Sequence, residues 1–298
     1  MLTKILYDKI EDNFKDKIIK IDSLTTDVNL LYMTNQKLIV KEVNQKVLDI
    51  YHYLVSENIE GIRLPTKKLS DGQKVYLVFP YVKTINYPDG KQIIDLINVI
   101  NNLHHKTAFT VKLEHKYFKF FYRVYQKLDR TFQTLEMWVR EVEVKENKDD
   151  FDWIILSKYH IFLKAKQIMY PLQKRIHKYL DNKGEAIFCL NHGNPALNHF
   201  INHQLISFNN SYLGIFVSDL AKLYISLDHF PNESFRLIDE VLESYQNRFY
   251  KLYFKFLVLY IYMMTLNFDF SKINYNVEIY VQVANRVQTF LKLTANYE

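Results

Sequence analysis

The chain has 298 residues and 48% hydrophobic residues, enough for one large domain or two small ones with a sizeable core, so long disorder is not expected. Its formal net charge is +6 and its pI is near 9.0, but the charges are spread along the chain, which argues against nucleic-acid binding. Only six glycines are present, and this argues against a glycine-rich phosphate loop.

The sequence predicts a cytoplasmic protein with no membrane span. The most apolar stretch, 256–264, is shorter than the roughly 20 residues that a membrane helix needs. Residues 1–17 are charged throughout, unlike a signal peptide. The single cysteine, Cys189, cannot form an internal disulfide, which fits a reducing compartment.

The first 80 residues predict a small antiparallel sheet with helices. Apolar periodicity and turn residues indicate, in order, a helix or helix-strand lead-in to about residue 22, a hairpin over 30–43, a helix over 42–54, and a hairpin of strands 62–69 and 74–80 that turns at 70–72.

After residue 90 the pattern becomes helical. The predicted helices share apolar residues at every third or fourth position and cover 93–103, 121–142, 151–180 with a break or restart at Pro171, 218–229, 233–250, 251–266 and about 276–296.

One stretch of strands, 186–223, interrupts these helices. A buried strand leads into the polar loop Asn191-His192-Gly193-Asn194, and strands at 200–201 and 205–206 flank a turn at 203–204. A helix then opens at Ser218-Asp219. A loop held between buried strands is a place where a rigid scaffold presents chemistry.

This layout, with its His192-Gly193 pair and Asp219-Leu220-Ala221 helix start, resembles the catalytic segment of the aminoglycoside phosphotransferase and choline kinase-like family, most of all its spore-coat kinase-like branch. The resemblance implies an α+β, two-lobed protein kinase-like fold. It places a β-rich lobe at 1–84 and a mainly helical lobe at 85–298, with the catalytic loop at 191–208.

The resemblance also implies a nucleotide site. It assigns Lys41 to the α- and β-phosphates, with Glu42 or Asp49 as its acidic partner, and it places Phe79 and Tyr81 in a hinge that meets the adenine. Spacing alone describes Lys41 as a solvent-facing lysine on a strand. The family's small, glycine-containing loop corresponds here to 23–29, which has no glycine.

The residues at the expected catalytic positions differ from the family pattern. The family has the aspartate of His-Gly-Asp, an asparagine five residues later and an aspartate on the next strand; these positions hold Asn194, His199 and Ser207. Asn194 has no basic oxygen, and loss of a general base typically costs about 10²–10⁴ in rate. Ser207 removes a carboxylate and His199 replaces an oxygen ligand, whereas Mg²⁺ prefers hard oxygen ligands.

The matching positions carry structural roles in the resembled family. His192 shapes the loop, and Asp219 braces the loop's backbone. Asp219 and Asn198 could act as shifted metal ligands, and Asn209 and Asn210 could offer amide oxygens.

A zinc site of the three histidines at 192, 199 and 203 is a further alternative, although their spacing matches no recognised ligand pattern.

The sequence thus predicts a pseudokinase that binds a protein partner or a small-molecule ligand, with no cofactor expected. The alternatives are an active small-molecule kinase with shifted ligands, which would use ATP and Mg²⁺, and a nucleotide sensor that does no chemistry.

Overall fold

The computed structural model describes residues 3–83, 89–113, 115–266 and 273–297. These residues form a small lobe built on an antiparallel sheet and a larger, mostly helical lobe, which confirms the predicted α+β architecture. The chain divides into two compact units, residues 1–106 with 192–212 and residues 107–191 with 213–298. The predicted lobe boundary between residues 84 and 85 lies outside the described residues and stays a prediction.

The first unit contains a five-stranded antiparallel sheet. Its elements are helix α1 (Lys4–Phe14), strands β1 (Ile18–Ser23), β2 (Val28–Met33) and β3 (Lys37–Val43), helix α2 (Gln45–Ser56), strands β4 (Lys67–Ser70) and β5 (Val75–Pro80), and helix α3 (Asp89–Lys106). The strand order is β1-β2-β3-β5-β4. The short strands β8 (Phe200–Ile201) and β9 (Gln204–Leu205) pair as a separate hairpin in this unit.

The two faces of this sheet carry different side chains. Because successive side chains on a strand point to opposite faces, Leu38 and Val40 lie on one face and Ile39 and Lys41 on the other. Leu38 and Val40 belong to the apolar cluster that the sheet forms with α1. The opposite face therefore carries Lys41 and, on β5, Phe79.

The second unit is mainly helical. Its strands are β6 (Phe109–Lys112), β7 (Glu185–Asn191) and β10 (Tyr212–Ile215), and they form a sheet in the order β10-β7-β6. Strand β10 begins at the last residue of the first unit. The described residues of this unit also form six helices, α4 (His115–Glu143), α5 (Asp150–Lys183), α6 (Val217–Ser226), α7 (Pro231–Ser244), α8 (Arg248–Thr265) and α9 (Ile273–Leu293).

The predicted break at Pro171 is wrong, because α5 continues through this residue. Proline removes one helical hydrogen bond, but Met169 and Leu172 on either side of it are buried and hold the helix in its packing.

The second predicted hairpin begins later than expected. Residues 62 and 63 are not in β4, because Ile62 forms an isolated bridge with Leu205 and the Arg63 N–H donates to the Leu205 carbonyl. The predicted turn at 203–204 lies one residue earlier. Asn202 and His203 have φ values of 47° and 62°, which is the pattern of a tight hairpin turn with two left-handed residues.

Candidate functional site

Lys41 is buried within the first unit, and not solvent-facing as its spacing alone indicated. Its residue is only 6% exposed, and burial lowers the pKa of its ammonium group to about 8, with the charge of Asp27 opposing this shift. Within the described ranges, no acid forms an ion pair with Lys41. A buried cation without a counter-ion is costly unless an anion joins it.

The two acids proposed as partners of Lys41 are engaged elsewhere, and that prediction is wrong. The Glu42 carboxylate lies 2.8 Å from the Lys74 ammonium, because neighbouring residues of a strand point to opposite faces. The Asp49 carboxylate accepts a hydrogen bond from the Gln45 side chain, one turn earlier on α2.

Lys41 opens onto a cavity of about 250 Å³. Apart from Lys41, Arg63 and Ser207, the wall is apolar or aromatic: Leu24, Val28, Ile39, Tyr51, Phe79, Pro80, Tyr81, Val82, Ile201 and Ile206. The predicted residues Lys41, Phe79, Tyr81 and Ser207 are thus brought together, whereas Asn194 and His199 do not line this cavity.

The loop between β1 and β2 covers part of the cavity and is closed on itself. The N–H groups of Leu24 and Thr25 donate to the Val28 carbonyl at 2.9 and 3.2 Å. Two longer and weaker bonds add to these: the Asp27 N–H donates to the Thr25 hydroxyl at 3.4 Å, and the Val28 N–H donates to the Thr25 carbonyl at 3.5 Å. Four backbone donors that could have faced a phosphate are therefore used inside the loop.

The hinge segment is similarly occupied. The Tyr81 N–H donates to the Lys37 carbonyl at 2.9 Å, and Pro80 has no N–H to offer. The Pro80 carbonyl accepts a hydrogen bond from the Arg63 guanidinium, which also donates to the Gln204 side chain. Phe79 is buried and Tyr81 is 40% exposed, so both offer ring surface more than polar groups.

His192 and Gly193 hold the predicted catalytic loop by packing. His192 is fully buried, its Nε2–H donates to the Ile206 carbonyl at 2.7 Å, and its ring meets Phe208 edge to face. Gly193 has φ 84°, and a Cβ there would lie 2.0 Å from the Asn210 carbonyl oxygen. No other residue fits this position without displacing the backbone.

Asn194 and His199 are tied to each other through the loop. Asn194 is exposed, and its backbone carbonyl accepts a hydrogen bond of 2.8 Å from His199 Nδ1–H. The proton on Nδ1 is thus used to close the turn.

Ser207, which the motif resemblance assigns to a metal-binding position, lies in an unusual backbone conformation. Its φ and ψ are 68° and 62°, in the left-handed region that residues other than glycine and asparagine seldom adopt. Tyr51 of α2 packs beside it, with its ring edge to face on Phe79 and Phe208. Burial raises the pKa of Tyr51, and hydrogen bonds from the backbone of Phe208 and Ser207 oppose this rise.

The shifted ligands considered from the sequence do not line the cavity. Asn198, Asn209 and Asn210 are exposed. Asp219 is fully buried in the first turn of α6, in the second unit. Its role in bracing the loop stays a prediction.

The three histidines do not form a metal-binding cluster. No group of three or more histidine, cysteine or acidic residues that could hold a metal occurs in the part of the chain that the structure describes. The ring centroids of His192 and His199 lie 5.7 Å apart, but His203 Nδ1–H donates to the Asp95 carboxylate at 2.8 Å.

Known structures share this fold at low sequence identity. An aminoglycoside phosphotransferase from Alicyclobacillus acidocaldarius subsp. acidocaldarius superposes with a TM-score of 0.64 and 15% identity, covering 94% of this chain and 92% of that one. The AMP-bound spectinomycin phosphotransferase APH(9)-Ia gives a TM-score of 0.55 and 13% identity, covering 98% of each chain. Its complex with ADP and spectinomycin gives 0.53 and 12%, covering 97% of this chain and 98% of that one.

No protein-family model matches the sequence, and no curated protein matches it either. The likeness to solved structures establishes the fold, which is the two-lobed kinase-like fold of the aminoglycoside phosphotransferases. None of the helices in the described ranges is long and apolar enough to span a membrane.

Three features of the site were missed by sequence reasoning. Arg63 was assigned to a strand, although its position before Pro65 already disfavours a regular strand pair. Tyr51 was predicted on a helix face, but its place in the cavity wall depends on long-range packing. The closed loop at 24–28 had a local signal, since serine, threonine and aspartate side chains commonly bond nearby backbone groups.

Proposed function

We propose that this chain is a pseudokinase, a kinase-fold protein that has lost phosphotransfer and acts as a binding protein through the cavity at Lys41. The observation that carries the proposal is a buried lysine that opens onto an apolar cavity, with a serine where the family pattern has a metal-binding aspartate.

The loss of phosphotransfer follows from charge. Phosphoryl transfer depends on positioning and on cations that neutralise the phosphates. Residues 191–217 contain no carboxylate, so this segment supplies none of the ligands that Mg²⁺ favours. Asn194 cannot accept the proton of an attacking hydroxyl as a carboxylate would.

The argument for ligand binding rests on the free-energy cost of burying the charge of Lys41. Burying an ammonium group without a partner costs free energy, and an anionic ligand in the cavity would recover it. A protein whose cavity served only as packing would be more stable with an apolar residue there.

An active small-molecule kinase with shifted ligands is the competing function, because the solved structures of this fold include phosphotransferases. It would need Asn198 or Asp219 as a ligand, and neither lines the cavity. The further elements of the proposal, a place in the cytoplasm and a relation to the spore-coat kinase-like branch, rest on the single cysteine and on the motif resemblance.

The test is ATP turnover in the presence of Mg²⁺ with pooled aminoglycosides, choline and sugars. We expect no ADP release above the rate without protein, and no magnesium-dependent change in the melting temperature with ATP. Spectinomycin phosphotransferase with spectinomycin serves as the positive control. Turnover that requires Mg²⁺ and one of the added acceptors would overturn the proposal.

A further inference from the structure

We propose that the cavity binds a compact aromatic molecule with one anionic group, a carboxylate or a phosphate that reaches Lys41, and that it does so without a divalent metal ion. This inference rests on the proposed function, because it names the class of ligand for the same cavity.

A polyphosphate chain has few donors to meet at this site. The four loop N–H groups of residues 24, 25, 27 and 28 are already bonded within the loop. A triphosphate would therefore bring several negative charges to the Lys41 ammonium group, because the other cation in the wall, Arg63, is already hydrogen-bonded at the hinge. Without carboxylates there is also no site that gathers Mg²⁺ beside it.

A purine base has few polar groups to read at Pro80 and the Tyr81 N–H of the hinge. Base recognition by a backbone needs free donors and acceptors on consecutive residues. Here the Tyr81 N–H is used in the sheet, Pro80 has none, and the Pro80 carbonyl already accepts from Arg63. The positive guanidinium beside that carbonyl competes with an exocyclic amine, which would also have to donate there.

The cavity then offers ring surface and two cations, Lys41 and Arg63, of which Arg63 already donates to the Pro80 carbonyl and the Gln204 side chain. Tyr51, Phe79 and Tyr81 supply aromatic faces and edges, and Ile201 and Ile206 supply apolar surface from the β8–β9 hairpin. Aromatic rings pack well against such walls. Lys41 forms no ion pair within the described residues, and the Arg63 guanidinium is already held by two neutral acceptors, so Lys41 defines the anionic end of the ligand.

The dimensions limit the size of the ligand. Lys41 pairs with Leu77 and Leu38 pairs with Pro80, so Lys41 and the hinge are three residues apart along the strands, about 10 Å. The cavity volume of about 250 Å³ lies just below the about 300–1,000 Å³ of pockets for drug-sized ligands. Two fused rings with one anionic substituent match this length and volume.

The experiment is isothermal titration calorimetry with four probes, each with and without Mg²⁺: 2-naphthoate, 2-naphthyl phosphate, the neutral 2-naphthol and ATP. We expect one or both naphthyl anions to bind at least about tenfold more tightly than 2-naphthol and than ATP, with no effect of Mg²⁺. The two anions distinguish a carboxylate ligand from a phosphate ligand.

Four variants locate the binding. Lys41→Met should weaken anion binding by about tenfold or more, whereas Lys67→Met, the same change at an exposed position of β4 on the opposite face of the sheet, should leave it unchanged. Ser207→Asp should also abolish anion binding, since it puts a carboxylate in the wall of the cavity. Asn194→Asp combined with Ser207→Asp should not produce tight ATP binding, because the loop and hinge groups remain occupied.

Equal binding of 2-naphthol and the anions, tighter binding of ATP, or no binding of either anion at millimolar concentration would overturn the inference. Each of these results leaves the proposed loss of phosphotransfer standing, as long as the turnover assay shows no ADP release. Turnover together with tight anion binding would overturn the proposed function and leave the ligand class in place.

Discussion

Two sets of residues in the 192–207 loop differ in what holds them. His192 and Gly193 are fixed by burial and by a backbone contact that admits no side chain. Asn194, His199 and Ser207, to which the motif resemblance assigns the chemical positions, are exposed or partly exposed. The loop's shape is therefore specified by packing and does not depend on the groups that would do chemistry. A loop built this way can lose its reaction and keep its conformation.

The largest effect is expected where packing is tightest. Gly193→Ala should lower the free energy of unfolding by about 3–5 kcal/mol, because the new Cβ adds a backbone clash to the strain of a positive φ. Chemical denaturation measures this change. Gly72→Ala is the matched control, since Gly72 also has a positive φ but a Cβ added there would meet no atom within 4 Å; it should cost only about 1–2 kcal/mol. Equal losses in the two variants would contradict the tight approach to Asn210.

A change of the opposite sign is expected at Lys41. Its pKa is about 8 in the folded protein against 10.5 as the ordinary value, so the folded state carries the full cost of the buried charge below pH 8. Lys41→Met should therefore raise the free energy of unfolding at pH 7 by up to about 3 kcal/mol. As the pH rises from 8 towards 10.5 the wild type is relieved of this cost, and the difference between the two proteins should shrink.

Denaturation curves of both proteins at pH 7 and pH 10 measure this difference. Lys37→Met, on the same strand but exposed, should change stability little at either pH. A loss of stability in Lys41→Met at pH 7 would show that the lysine is paired, and it would remove the main argument for an anionic ligand.

The smallest effect is expected at Asn194. Its residue is exposed and lies outside the cavity wall, so Asn194→Ala should change the free energy of unfolding by less than about 0.5 kcal/mol. The anion affinity should be unchanged as well. A loss above about 1 kcal/mol would mean that this position belongs to the packed set with His192 and Gly193.

Local patterns predicted the elements well. The first hairpin was expected over 30–43 and occupies β2 and β3, since two β-rich runs around a short polar turn have one simple pairing. The helices were predicted from periodicity, but their ends were not. The predicted helix 233–250 stops at 244, and α8 begins after Asn247, whose side chain accepts the Phe249 N–H as a cap.

The candidate site was predictable only in part. The motif order pointed to Lys41, Phe79, Tyr81 and Ser207, which do line one cavity. Strand alternation already indicates that Glu42 faces away from Lys41. The sequence could not reveal that Lys74 is the partner of Glu42 or that Arg63 reaches the hinge, because both depend on long-range packing. Among the occupied backbone groups, those of the loop at 24–28 had a local signal in the sequence, whereas the hydrogen bond from Arg63 to the Pro80 carbonyl had none.

The reactivity of Cys189 can report local opening of the second unit. It is the single sulfhydryl of the sequence, it is fully buried on β7, and burial raises the pKa of its thiol, with the charge of Asp219 adding to the shift. Only the thiolate reacts with disulfide reagents, so this group is silent while the β10-β7-β6 sheet is closed. The rate at which such a reagent modifies the Cys189 thiol therefore reports how often that sheet opens, and the measurement needs no added label.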